Sequence, residues 1–135
     1  MRKQLFSQAF ALLAVIALSH YLASVLYIYW TVWWFDMVMH FLAGLCVAMG
    51  GISVWLYIFN KTYLSRYKNI FIGLFFVVVV GLLWEVFELN YDITFFSDGA
   101  EYWTDTISDL VLDISGGVAG VLYAYYLENK NKNKI

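Results

Sequence analysis

Four stretches of this chain are apolar for long enough to cross a hydrocarbon core, and that feature limits the fold more than any other. A membrane-spanning helix needs about 20 predominantly apolar residues. The first run covers about residues 5–29 and holds no charged side chain, only His20. The others cover about 36–59, 70–89 and 105–127. A membrane β-barrel would need alternating polarity over about ten residues per strand. The run Phe75-Phe76-Val77-Val78-Val79-Val80 has none. The expected fold is therefore all-α, a four-helix transmembrane bundle. Composition agrees, because 63% of the 135 residues are hydrophobic and only 13% charged. A soluble domain is nearer half apolar and about a quarter charged.

Arg2 and Lys3 ahead of an apolar run, with Ala17-Leu18-Ser19 beyond, resemble a secretory leader. The apolar run continues to Trp30, too long for a leader, so an uncleaved first helix is expected. Cys46 stands alone in an apolar run, which excludes an internal disulfide and suits an inert core thiol. Orientation follows from the basic residues, since short loops rich in Lys and Arg stay in the cytoplasm. Arg2 and Lys3 precede the first run, Lys61, Arg66 and Lys68 lie between the second and third, and Lys130, Lys132 and Lys134 follow the fourth. Alternating topology puts all eight on one side. Both termini are expected in the cytoplasm of a bacterial cell, with a single integral domain over 1–128 and a disordered basic tail over 129–135.

The acids sort to the opposite side. Of the ten Asp and Glu residues, only Glu128 falls with the basic ends. Asp36 and His40 are four apart, Glu85 and Glu88 three apart, and Asp105, Asp109 and Asp113 follow at intervals of four. Residues at these spacings share a helix face. At 1.5 Å per residue, Asp113 sits about 12 Å below the start of its run. Gly44, Gly81, Gly116 and Gly120 continue the same stripes, and small residues let transmembrane backbones approach closely. The stripes are expected to face one another inside the bundle, with His20 at a similar depth.

Some of these acids need no special explanation. Asp36 and Asp105 suit helix N-termini, Asp98-Gly99 reads as a turn, and Glu101 as a solvated loop residue. Glu85, Asp109 and Asp113 do not fit that account, because each intramembrane carboxylate costs at least about 2.5–3.5 kcal/mol. No Lys or Arg lies on that side, so Asp36, Glu85, Glu88, Asp92, Asp105, Asp109 and Asp113 face only His40 and His20. They must be protonated, because like charges at close range do not ionise together, or they neutralise a cation. A divalent metal is the favoured expectation, with a proton or cation pathway second and solvated structural acids third. One or two imidazoles among carboxylates suit zinc, manganese or iron, and an all-oxygen subset suits magnesium or calcium. Facing helices with His and carboxylates three or four apart are how di-metal sites arise in bundles.

Ser24, Ser108 and Ser115 carry no mark of an activated nucleophile. Trp30, Trp33, Trp34, Tyr102 and Trp103 read as an outer aromatic belt.

Three motifs, Phe35-Asp36-x-x-x-His40-Phe41-x-x-Gly44, Trp84-Glu85-x-x-Glu88 and Trp103-x-Asp105-x-x-x-Asp109 with Gly116-Gly117, follow in order over 35–120. In these the chain resembles the YjdF-like family of small bacterial polytopic membrane proteins and, more distantly, the VanZ-like proteins. The resemblance implies a site of Asp36, His40, Glu85, Glu88, Asp105 and Asp109, with Asp113 outside the pattern, and names no reaction.

The leading expectation is a metal-dependent hydrolase or transferase acting on an ester or phosphoester of a lipid-linked substrate at the outer leaflet. Asp36, His40, Glu85, Asp105 and Asp109 are the expected metal ligands. Glu88 is the expected proton-transfer residue. The aromatic loop 91–103 would guide an acyl or prenyl chain. Membrane lipids are the expected partners, and no nucleic acid is. A cation- or proton-binding transport protein and a small accessory membrane subunit are the alternatives.

Overall fold

The computed structural model describes residues 1–61, 65–91 and 93–133. Asp92 and Lys134, which entered the charge pattern above, lie outside them. Among the described residues the chain is all-helical, and four helices are long and apolar enough to cross a membrane. Helix α1 covers Arg2–Val25, α2 is a single turn at Ile28–Thr31, α3 covers Phe35–Ile58, α4 covers Arg66–Asn90 and α5 covers Ala100–Lys132. A 3₁₀ turn at Phe96–Asp98 leads into α5. The four long helices run up and down in turn, so both termini lie at one end of the bundle, here the terminal end. The short connection with α2 and the 3₁₀ turn lie at the distal end.

Helix boundaries differ from the apolar runs in physically intelligible ways. The first run does not continue unbroken to residue 29. Tyr27 adopts a left-handed conformation at φ 58°, which ends α1 and folds the short α2 back across the bundle. Helix α4 starts at Arg66, where the Ser65 hydroxyl accepts from the Lys68 N–H at 3.4 Å as an N-cap. Helix α5 is longer at both ends than the run 105–127. It begins after Gly99, whose φ of 61° favours glycine, so Asp105 lies in its second turn and not at its start. It also continues through Lys132, which corrects the disordered tail over residues 129–132. With 33 residues, α5 is about 50 Å long, well beyond a hydrocarbon core of about 30 Å. Its polar ends are free to stay helical in water or headgroups.

Helices α3 and α5 form the central pair. They cross so closely that a Cβ added at Gly44 would stand 2.0 Å from the Asp113 carbonyl oxygen, and one at Gly116 would stand 1.9 Å from that of Phe41. Helix α4 packs against both members of this pair, and α1 packs against α3. The terminal half is filled by Leu5, Ala9, Ala48, Ile52, Leu56, Ile72, Val77, Val121, Ala124 and Leu127. Polar contacts close that end. The Arg2 guanidinium donates to Asn60 Oδ1 at 3.0 Å and sits over the Tyr57 ring. Glu128, buried, accepts from Asn69 Nδ2 at 3.2 Å and pairs with Lys132. The Cys46 thiol is buried and unoxidised, donating to the Ala9 carbonyl at 3.3 Å.

The central crossing can be tested with a matched pair of substitutions. Gly116→Ala forces backbone apart, and overpacking of this kind costs about 1–3 kcal/mol. Gly50→Ala meets nothing within 4 Å and should be neutral. Thermal unfolding in detergent should show a clear drop in Tm for the first alone. Equal stability of the two variants would contradict the close crossing.

Candidate functional site

The Gly44–Asp113 crossing fixes the distal site, because it places the second turn of α3 against the middle of α5. His40 then stands between acids from both helices. Its Nε2 lies 3.8 Å from Asp36 Oδ1 and 3.6 Å from Asp109 Oδ2, and its Nδ1 lies 3.4 Å from Asp113 Oδ1. His40, Asp109 and Asp113 are 8%, 5% and 6% exposed. Donor atoms of Asp36, His40 and Asp109 all lie within 4.8 Å of one another. Gly81 of α4 closes the back of the site, since a Cβ there would come within 2.9 Å of Asp113 Oδ2.

The remaining sequence candidates occupy different positions. Glu85, buried on α4, accepts from the Thr106 hydroxyl at 2.6 Å. Glu88, half-buried one turn on, accepts from the Trp84 indole N–H at 2.9 Å. Neither belongs to the close trio. Asp105 is exposed, one turn distal to Asp109, and is also outside the trio. Asp113 joins the group by facing the second nitrogen of His40.

Sequence reasoning missed two participants. Thr106 lies three residues before Asp109, on the same stripe, and that spacing was the available signal. Tyr29 carried no signal, because its position depends on the backbone reversal at Tyr27. Its hydroxyl lies 2.8 Å from His20 Nδ1. Burial, with Asp36 and then Glu88 nearby, raises the Tyr29 pKa to about 12. The phenol therefore stays neutral, keeping its proton, throughout the physiological range.

A cavity of about 500 Å³ opens beside the site. His20, Tyr29, Asp36, His40 and Asp113 form its polar part, and residues including Leu13, Ala17, Ala43, Val47, Val77 and Val80 its apolar walls. Among the described residues of the aromatic loop over 91–103, only Ile93 lines it.

Residues 1–130 match the model of a family described as "Predicted membrane protein (DUF2238)". The chain belongs to this family. Neither the curated proteins nor the solved structures contain a match. Membership accords with the four spans, and the family description names no reaction.

Two outcomes are expected here. Thr106→Val leaves the buried Glu85 carboxyl without its donor, at a cost of about 1–3 kcal/mol, so Tm should fall and Thr106→Ser should restore it. An unchanged Tm for the valine variant would mean that the bond contributes nothing. In an alkaline spectrophotometric titration, the difference between the protein and Tyr29→Phe should show phenolate forming near pH 12. Formation near the ordinary value of about 10 would place the ring in water.

Proposed function

We propose that this protein is a metal-dependent enzyme of the bacterial cytoplasmic membrane. In this reading it hydrolyses or transfers an ester or phosphoester of a lipid-linked substrate at the outer leaflet. The observation that carries the proposal is the orientation of His40. Its Nε2 faces Asp36 and Asp109 while its Nδ1 faces Asp113, the arrangement by which a carboxylate orients a metal-bound imidazole from behind. Two ligands about 2.1 Å from a tetrahedral ion lie about 3.4 Å apart, so separations of 3.6 and 3.8 Å need only small adjustments. Zinc, manganese and iron suit an imidazole with carboxylates, and magnesium suits the oxygen donors. Among the described residues, Arg2, Lys3, Lys61, Arg66, Lys68, Lys130 and Lys132 belong to the terminal end or to connections there. This charge bias supports cytoplasmic termini and an outward-facing site.

The ligands in this reading are Asp36, His40 and Asp109, with Asp113 orienting His40. A metal there would polarise the scissile group and lower the pKa of a bound water. Glu88 is the proton-transfer residue and Tyr29 a neutral hydrogen-bond donor beside it. Glu85, tied to Thr106, braces α4 against α5. The motifs in which the chain resembles YjdF-like proteins contain Asp36, His40, Glu85, Glu88 and Asp109, while Asp113, Tyr29 and Thr106 are not among their defining residues.

The rival readings have less support. Transport needs a polar route, and the terminal half of the bundle is packed with Ala48, Ile52, Leu56, Val121 and Leu127. An accessory subunit would turn its acidic faces to a partner, whereas His40, Asp109 and Asp113 face one another and are buried.

Elemental analysis of detergent-purified protein tests the proposal. The wild type should hold about one equivalent of a divalent metal, and His40→Ala and Asp109→Asn should lose it. Asp113→Asn should weaken binding about 10–100-fold, and Asp105→Asn should leave it intact. Absence of metal from the wild type, with none taken up at micromolar concentration, would overturn the reading in favour of protonated carboxylates.

A further inference from the structure

Helices α1 and α4 both flank α3 but make no substantial contact with each other. The cavity occupies the space between them. Only 11% of the α1 span is buried inside the bundle, and the cavity separates its upper half, from Leu13 onward, from α4 until His20 meets the Trp84 ring edge-on. The cleft lies between two helices of membrane-spanning length, beside their apolar middles. Its walls are mostly aliphatic, with Trp84 and Phe87 beside them, and its polar groups are gathered at the distal end.

The shape selects the occupant. From Asp36 to Val47 along α3 the cleft is about 16 Å long, and its volume is about 500 Å³. A flexible apolar chain with one polar end fits a space of this length and lining, and small-ligand sites commonly enclose about 300–1,000 Å³. Of such molecules, the lipid of the surrounding bilayer is the one already present at the opening.

We propose that the cleft between α1 and α4 takes one acyl chain of a bilayer glycerophospholipid, which enters sideways from the membrane and brings its ester and headgroup to His20, Tyr29 and His40. This extends the proposed enzyme by naming the substrate class and its route, and that route is the helix cleft, not the aromatic loop. His20 and Tyr29 are positioning residues, held to each other at 2.8 Å, and His20 is braced edge-on by the Trp84 ring.

The test uses the full chain in nanodiscs of phosphatidylethanolamine and phosphatidylglycerol. A phospholipid with a photoactivatable acyl chain is crosslinked, and bound lipid is counted by native mass spectrometry. Three proteins are compared: the wild type, Ala17→Trp in the cleft, and Val15→Trp, which points about 160° away around α1. Both substituted positions are exposed, so folding should survive, and circular dichroism checks it. Expected are one retained phospholipid and crosslinks at Ala43 and Val47 in the wild type and Val15→Trp, with at least a fivefold loss in Ala17→Trp. Equal retention in all three, crosslinks scattered over outward residues such as Phe71 and Leu122, or displacement by a prenyl phosphate but not by excess phospholipid would overturn the assignment. Metal measured on the same samples separates the two proposals. Metal without lipid defeats the cleft alone, and lipid without metal defeats the metal centre alone.

Discussion

The close crossing of α3 and α5 is the contact on which the rest of the structure depends. In a bilayer the hydrophobic effect does not drive helices together, because lipid tails are as apolar as the side chains. Association must come from packing and from polar contacts, and both are concentrated at this crossing. Gly44 and Gly116 let backbone meet backbone, which gains dispersion contacts along both helices. The same approach holds His40 against Asp109 and Asp113. A bulkier crossing would separate the imidazole from its acids, so packing and chemistry share one geometric cause.

The distribution of charge divides the bundle into two functional halves. At the terminal end, cations meet neutral or acidic partners in ordinary pairs, such as Lys132 with Glu128 and Arg2 with Asn60. At the distal end, acids converge with histidine as their only cationic candidate. A carboxylate at this depth is costly, and an arrangement that gathers several persists only if something offsets the cost. Hydroxyl and indole donors serve Glu85 and Glu88. Asp36, Asp109 and Asp113 converge instead on a single imidazole, which leaves negative charge uncompensated whenever more than one of them is ionised. That residual demand for positive charge distinguishes the trio from its neighbours.

Much of this was legible in the sequence, and the exceptions have physical causes. Four helices follow from four apolar runs, because only a continuous helix satisfies its backbone in lipid. The ends were misplaced where helix continues into polar territory, at Ala100 and Lys132, since hydropathy records the bilayer and not the helix. The break at Tyr27 has no glycine or proline to mark it. In the site, spacing identified which acids share a face of their own helix. It could not say how deep in the bundle each acid comes to lie, and Asp105, one turn distal to Asp109, is exposed while Asp113 is buried. Thr106 was within reach of the same stripe argument; Tyr29 was not.

The loose seating of α1 then acquires a consequence. Leu5 and Ala9 anchor its lower half to the core, and the Cys46 thiol holds the Ala9 carbonyl. Its upper half has Ala23 as its one buried residue among those described. That upper half borders the cleft and meets α4 edge-on through His20 and Trp84. The reversal at Tyr27 couples its distal end to Tyr29, and through the Tyr29–His20 contact back to α1 itself. A change in the cleft would therefore be felt at the phenol beside Asp36 before it reached the imidazole. The α3–α5 crossing holds the chemistry in place, and α1 forms one wall of the cleft beside it.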